Sequence, residues 1–187
     1  MRQTVAAIQA EYLRYKALAE AALAQLDDRE LVAPAPGGNS IAAICWHVAG
    51  NLLSRFTDFL ATDGEKPWRN REDEFAPRPV TRAELLTQWG RGWTALFNTL
   101  EALTDADLTR MVTIRGQSLS VQEALFRSLA HASYHVGQVV YAARAQRGDA
   151  WQFLSIPPGR SNEYNLAPRS EKPADHAEVL LKPTHSS

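Results

Sequence analysis

The sequence predicts an all-α fold: a four-helix bundle with long inter-helix connections and a short β-hairpin before the last helix. Three observations carry this reading. Four segments repeat apolar residues at helical spacing, two of them open on capping boxes, and strand-like alternation is confined to one short stretch. A chain of 187 residues, 45% of them apolar, is long enough for one real core. Four amphipathic stripes bury their apolar faces best against one another.

The first helix is predicted over 3–27. Val5, Ile8, Tyr12, Tyr15, Ala19, Ala22 and Leu26 alternate steps of three and four, and Asp27, Asp28, Pro34, Pro36, Gly37 and Gly38 then stop the pattern. The second opens at Asn39 or Ser40, both good N-caps, buries Ile41, Ile44, Val48, Leu52, Phe56 and Phe59, and ends near Asp63-Gly64. Residues 61–80, rich in proline and charge, read as a long loop. Thr81 and Glu84 form a capping box for the third helix, whose stripe is Leu85, Trp89, Trp93, Leu96, Leu100 and Leu103. Val112-Thr113-Ile114 and Gln117-Ser118-Leu119 flank Arg115-Gly116 as a hairpin. Ser120 and Glu123 cap the fourth helix, which runs to about Arg147 with Gly148 as its C′ residue. The loops after the second and third helices are long enough to allow crossovers. The bundle is assigned to 1–165, and 166–187 reads as a polar, loosely ordered tail.

Charge and cysteine content narrow the function classes. Twenty Lys+Arg against 21 Asp+Glu argue against a polybasic nucleic-acid binder. One cysteine supplies neither an intrachain disulfide nor a Cys-rich zinc site. No stretch is apolar enough to span a membrane and no signal peptide opens the chain, so the expectation is a cytoplasmic protein.

Three of the five histidines fall on predicted helices: His47 on the second, His131 and His135 on the fourth; His176 and His185 lie in the tail. His131 and His135, at i and i+4, are neighbours on one helical face and can share one metal ion. Ala132 follows His131, so the glutamate base of a zincin helix is missing. Their row, Ala124, Ser128, His131, His135, Gln138 and Ala142, is small or polar, whereas the parallel row through Leu125, Leu129 and Val136 is a core seam. His47 borders the apolar stripe of its helix, and a histidine there can complete a three-ligand site with open positions. Three hydrogen-bonded core histidines are the plainer alternative. Cys45 lies about 200° around the helix from His47 and reads as a small buried apolar residue. Asn51 and Gln138, each close to one turn from a histidine, read as boundary residues or as groups orienting water or substrate. Arg69, Arg71, Glu72, Asp73 and Glu74 read as solvated surface, or as a site rim or dimer contact.

The segments NSIAAICWHVAGNLLSR (39–55) and SVQEALFRSLAHASYHVGQVVYAAR (120–144), with NREDEF (70–75) and FLSIPPGRSNEYN (153–165), resemble the DinB/YfiT-like superfamily of metal-binding four-helix bundles, in a bacterial branch of it. The resemblance covers about residues 1–165. It implies a divalent metal, zinc or nickel, on His47, His131 and His135, and a homodimer. It also implies a thiol S-transferase working with bacillithiol or another low-molecular-weight thiol, as in some characterised relatives; another is a mycothiol-dependent maleylpyruvate isomerase. Arg160 would then be a candidate contact for an acidic thiol.

The expected function is thus a metal-dependent thiol S-transferase acting on an electrophilic substrate. The rivals are a metal-dependent hydrolase, a noncatalytic stress-related metal-binding dimer, and a metal-free helical interaction protein using Trp89 and Trp93.

Overall fold

The apolar stripes place four long helices, and their caps set where each begins. The computed structural model describes residues 1–35, 38–77 and 79–182. In chain order the elements are α1 (Gln3–Ala24), α2 (Asp28–Val32), α3 (Ile41–Phe56), α4 (Arg71–Glu74), α5 (Arg82–Ala102), β1 (Met111–Ile114), β2 (Gln117–Ser120), α6 (Val121–Arg147), α7 (Ser161–Leu166) and α8 (Pro173–Leu181). The fold is all-α with one two-stranded hairpin.

The predicted capping boxes at Thr81–Glu84 and Ser120–Glu123 are both present, and Ser40 caps α3 by accepting from the Ala43 amide. Two helices stop earlier than their stripes suggest. α1 ends at Ala24 because Asp27 begins a new helix: its carboxylate accepts from the Glu30 amide at 2.8 Å, and Glu30 accepts from the Asp27 amide at 2.7 Å. α3 ends at Phe56 rather than near Gly64, since Thr57 turns extended and Asp58 takes a positive φ of 50°. Phe59 stays buried beyond the helix end. Pro36 and Gly37, expected to stop the first helix, and His185 lie outside the described residues.

α3 packs on α5 and α6, and α1 packs on α6 and α5. α1 and α3, consecutive in the chain among the long helices, therefore occupy opposite corners, as do α5 and α6. The bundle is not a simple up-down ring. The crossing connections are those after α1 and after α5. The long segment 57–81 joins adjacent helices instead, and its length is spent elsewhere, as described below.

Tyr12, Trp89, Trp93, Leu96, Leu100 and Leu125 fill the centre, each 1% exposed or less. The Tyr12 hydroxyl donates to the Leu125 carbonyl at 3.0 Å, so this buried phenol is satisfied. Both tryptophans belong to the core and are not available as an interface. α3 and α5 approach closely at Gly92, where a Cβ would stand 2.5 Å from the Ala49 carbonyl oxygen.

The hairpin pairs Val112 with Leu119 and Thr113 with Ser118. Its two turn residues, Arg115 and Gly116, have φ of 54° and 72°, as a type I′ turn requires. The Asp63 carboxylate accepts from both of their amides at 2.8 Å, tying the hairpin to the loop after α3.

Within the span read as a loose tail, residues 166–182 hold the end of α7 and the helix α8. α8 starts with Pro173 at its first turn and lies against α1, with Ala177 fully buried. A small residue at that contact lets the two backbones approach. His176 donates from Nε2 to the Leu154 carbonyl at 3.0 Å, which fixes this second set of residues to the body. Residues 183–187, the rest of the expected tail, lie outside the described residues. Among the described residues, no helix is long and apolar enough to cross a membrane.

Candidate metal centre

Because α3 packs on α6, His47 faces the pair on α6 across the helix interface. The rings of His47 and His131 lie 5.2 Å apart, those of His47 and His135 4.9 Å, and those of His131 and His135 4.5 Å. One ring nitrogen from each falls within 4.8 Å of the others. His47 Nε2 and His131 Nε2 are 3.2 Å apart. His47 is 4% exposed and the α6 pair is half-buried. The three residues the sequence singled out thus converge.

Each of two rings is oriented by a neighbour. His47 Nδ1 donates to Glu74 Oε2 at 2.8 Å, and His135 Nδ1 donates to Gln138 Oε1 at 2.8 Å. In a neutral imidazole a proton on Nδ1 leaves Nε2 as a lone-pair donor, so these bonds turn Nε2 of both rings toward the shared space. Gln138 therefore does more than sit at a boundary: it sets the tautomer of His135. Phe75 stacks on His47 with ring centroids 4.6 Å apart, restricting its rotation.

In the sequence Glu74 is one charge in a run that reads as solvated surface, or as a site rim or dimer contact. The structure buries it. α4 and the turn before it carry the chain back over α3, which is what the length of segment 57–81 achieves. Asn70 caps α4, and Arg69 grips Glu74 with a fork, Nε to Oε1 at 2.8 Å and Nη2 to Oε2 at 2.9 Å. The Arg69 and Glu74 side chains are 2% and 7% exposed. Gly50, one turn after His47, makes room for the carboxylate: a Cβ there would lie 2.2 Å from Glu74 Oε1. The glycine and the Arg-x-x-x-x-Glu spacing were the available signals, but neither names a partner without the fold. Arg71 stays more exposed, over the Phe75 ring and paired with Glu72.

Burial, together with the nearby His135, His47, Arg69 and Arg55, drives the His131 imidazole down to about 3. Burial likewise lowers His135, against the opposing bond to Gln138. For Glu74, burial acts upward, but the bonds from His47 and Arg69 outweigh it and hold the carboxyl below its usual range. Both α6 imidazoles are thereby kept neutral, which is the form that ligates a metal.

These donors fit a divalent ion. Two nitrogens bonded at ~2.0–2.1 Å in tetrahedral geometry stand roughly 3.3 Å apart, close to the 3.2 Å between the His47 and His131 nitrogens. A carboxylate behind a ligating histidine is the usual outer partner of such a site, and Glu74 holds that place. Among the described residues, the three histidines form a group able to hold a metal with no fourth protein ligand. A cleft of about 470 Å³ opens beside them, lined by His47, His131 and Asn51 among others.

Other candidates are placed elsewhere. Cys45 is fully buried, and burial pushes its thiol up to about 12. Arg160 pairs with Glu163 at 2.8 Å and lines a separate groove by α7 and α8. Glu84 and Glu123 cap helices.

Among curated proteins and among solved structures, nothing matches this chain. A family model matches residues 1–160, a span that holds the three histidines, Arg69, Glu74 and Gln138. On that match the chain belongs to the family described as protein of unknown function (DUF1572).

Proposed function

We propose that the protein is a divalent-metal-dependent thiol S-transferase that uses a low-molecular-weight thiol, with His47, His131 and His135 as the metal ligands. The observation that carries the reading is the convergence of three imidazoles, with no fourth His, Cys, Asp or Glu ligand among the described residues, beside a cleft that His47 and His131 line. Three protein ligands leave positions for an exogenous group, which is the catalytic rather than the structural pattern. The likeness to DinB/YfiT-like bundles supplies zinc or nickel as the metal and a homodimer as the assembly.

His47, His131 and His135 would hold the divalent ion, whose charge would lower the pKa of a thiol toward neutral pH. The thiol comes from a cosubstrate, because Cys45 is sealed in the core. Carbon–sulfur bond formation at an electrophilic carbon expels the leaving group with its electron pair, and the thiol proton passes to solvent. Glu74 fixes His47 through Nδ1, Arg69 fixes Glu74, and Gln138 fixes His135. Asn51 lines the cleft, and its amide would be available to hydrogen-bond a reactant.

The test begins with metal content by mass spectrometry on untagged protein beside the His131→Ala/His135→Ala variant. About one zinc or nickel per chain, lost in the variant, is the expected result. Absence of metal after incubation with either ion overturns the reading. Loaded protein is then assayed for substrate-dependent loss of free thiol against a panel of electrophiles. Metal without thiol turnover, but with ester or amide cleavage, would instead indicate a hydrolase.

A further inference from the structure

The cleft beside the three histidines has a marked charge asymmetry. Among the described residues, Arg55, Arg69, Arg71, Arg115 and Arg127 line it, and no carboxylate does. Partners outside the lining offset only part of this charge. Arg55 and Arg115 share Glu65, at 3.2 and 2.7 Å. Arg71 pairs with Glu72, and Arg69 with Glu74. Arg127 makes no ion pair among the described residues.

Arg69 gives the second, independent observation. Its Nε and Nη2 are committed to Glu74, but its Nη1 is buried with no hydrogen-bond partner, on a side chain 2% exposed. A buried guanidinium nitrogen left without an acceptor is costly. It sits on a group that lines the cleft and whose carboxylate partner also holds His47. Opposite in character, Phe56, Phe59 and Ile114 give the same cleft an apolar wall.

We infer that the cleft binds a small organic anion, its acidic group received by the arginine wall at Arg127 and Arg69 and its apolar part laid against Phe56, Phe59 and Ile114. This substrate class rests on reading the cleft as the reactant side of the proposed metal centre. Guanidinium forks suit carboxylate and phosphate alike, so the shared chemistry is an oxyanion on an apolar body. The cleft volume suits a molecule of one or two rings in size.

The experiment uses the full chain, stripped of metal, so that an anion cannot bind by ligating an ion. Cinnamate, phenyl phosphate and the neutral cinnamamide are titrated by ligand-observed NMR and calorimetry. Cinnamate or phenyl phosphate is expected to bind about tenfold or more tightly than cinnamamide, and the stronger of the two identifies the oxyanion. Arg127→Gln, an exposed change with little bearing on folding, is expected to weaken the anion several-fold and leave cinnamamide unchanged. Arg69→Gln is expected to weaken it further. Equal binding of cinnamamide, no anion binding up to about 10 mM, or wild-type affinity in both variants overturns the inference. Anion binding by a protein that takes up no metal would keep the inference and sink the transferase. Metal uptake without charge discrimination would do the reverse.

Discussion

Replacing Gly50 by alanine tests the centre without touching a ligand. The new Cβ would lie 2.2 Å from Glu74 Oε1 and 2.8 Å from Glu74 Cδ, against ordinary contacts of about 3.5 Å. The carboxyl group must retreat by more than an ångström. A His47 Nδ1–Oε2 bond now at 2.8 Å then passes out of hydrogen-bonding range, and the Arg69 fork is disturbed with it. Alanine gains about 1 kcal/mol in helix propensity. Breaking a buried charged network costs about 3–5 kcal/mol, so the net loss is about 2–4 kcal/mol. Losing the orienting carboxylate lowers metal affinity about 10–100-fold. Urea denaturation of the metal-free protein reads the first quantity, and zinc or nickel titration against a competing chelator reads the second. Gly90→Ala is the control, because its Cβ meets nothing within 4 Å; it should be neutral or stabilising by up to about 1 kcal/mol. A Gly50→Ala protein with wild-type stability and affinity would refute the assignment of Glu74 as the residue that holds His47.

Gly92→Ala should cost about 3 kcal/mol, because its Cβ would meet the Ala49 backbone, which cannot rotate away; denaturation midpoints check this. Ser120→Ala should cost about 1 kcal/mol by unmaking the α6 capping box, measured the same way. Without metal, His131 titrates near 3 when folded and near 6.5 when unfolded. Between those values the unfolded chain binds the proton and the folded one does not, so stability is full above 6.5 and falls as pH drops toward 3. The loss by pH 5 should be about 1–2 kcal/mol, and His131→Gln should flatten that slope in urea titrations from pH 7.5 to 5. Cys45, with its thiol raised to about 12, should resist iodoacetamide at pH 8 in native protein and react on unfolding; rapid native alkylation would contradict its burial.

The stripes and caps made the long helices readable because both are local: periodicity and a cap three residues away need no knowledge of the rest of the chain. The same holds for the I′ turn at Arg115-Gly116 and for the His-x-x-x-His pair. α2 carried a readable cap in Asp27 and Glu30, but the stripe running through Leu26 concealed it. α8 was harder to see, because a nine-residue helix with one fully buried alanine has little pattern of its own and is held by its contact with α1.

By itself the sequence determined that this chain makes four amphipathic helices, where they start, and which three histidines sit on them with room for a ligand. Only the tertiary structure decided which helices are neighbours, and with that the meeting of His47 with the α6 pair. It also decided that Glu74 and Arg69, read as solvated surface or a site rim, are buried behind His47, and that Arg55, Arg69, Arg71, Arg115 and Arg127 share one cleft. The physical reason is common to all of these. A charge in a loop reads as solvated until the return path of the loop is known, and burial, pairing and convergence are properties of packed elements far apart in the chain.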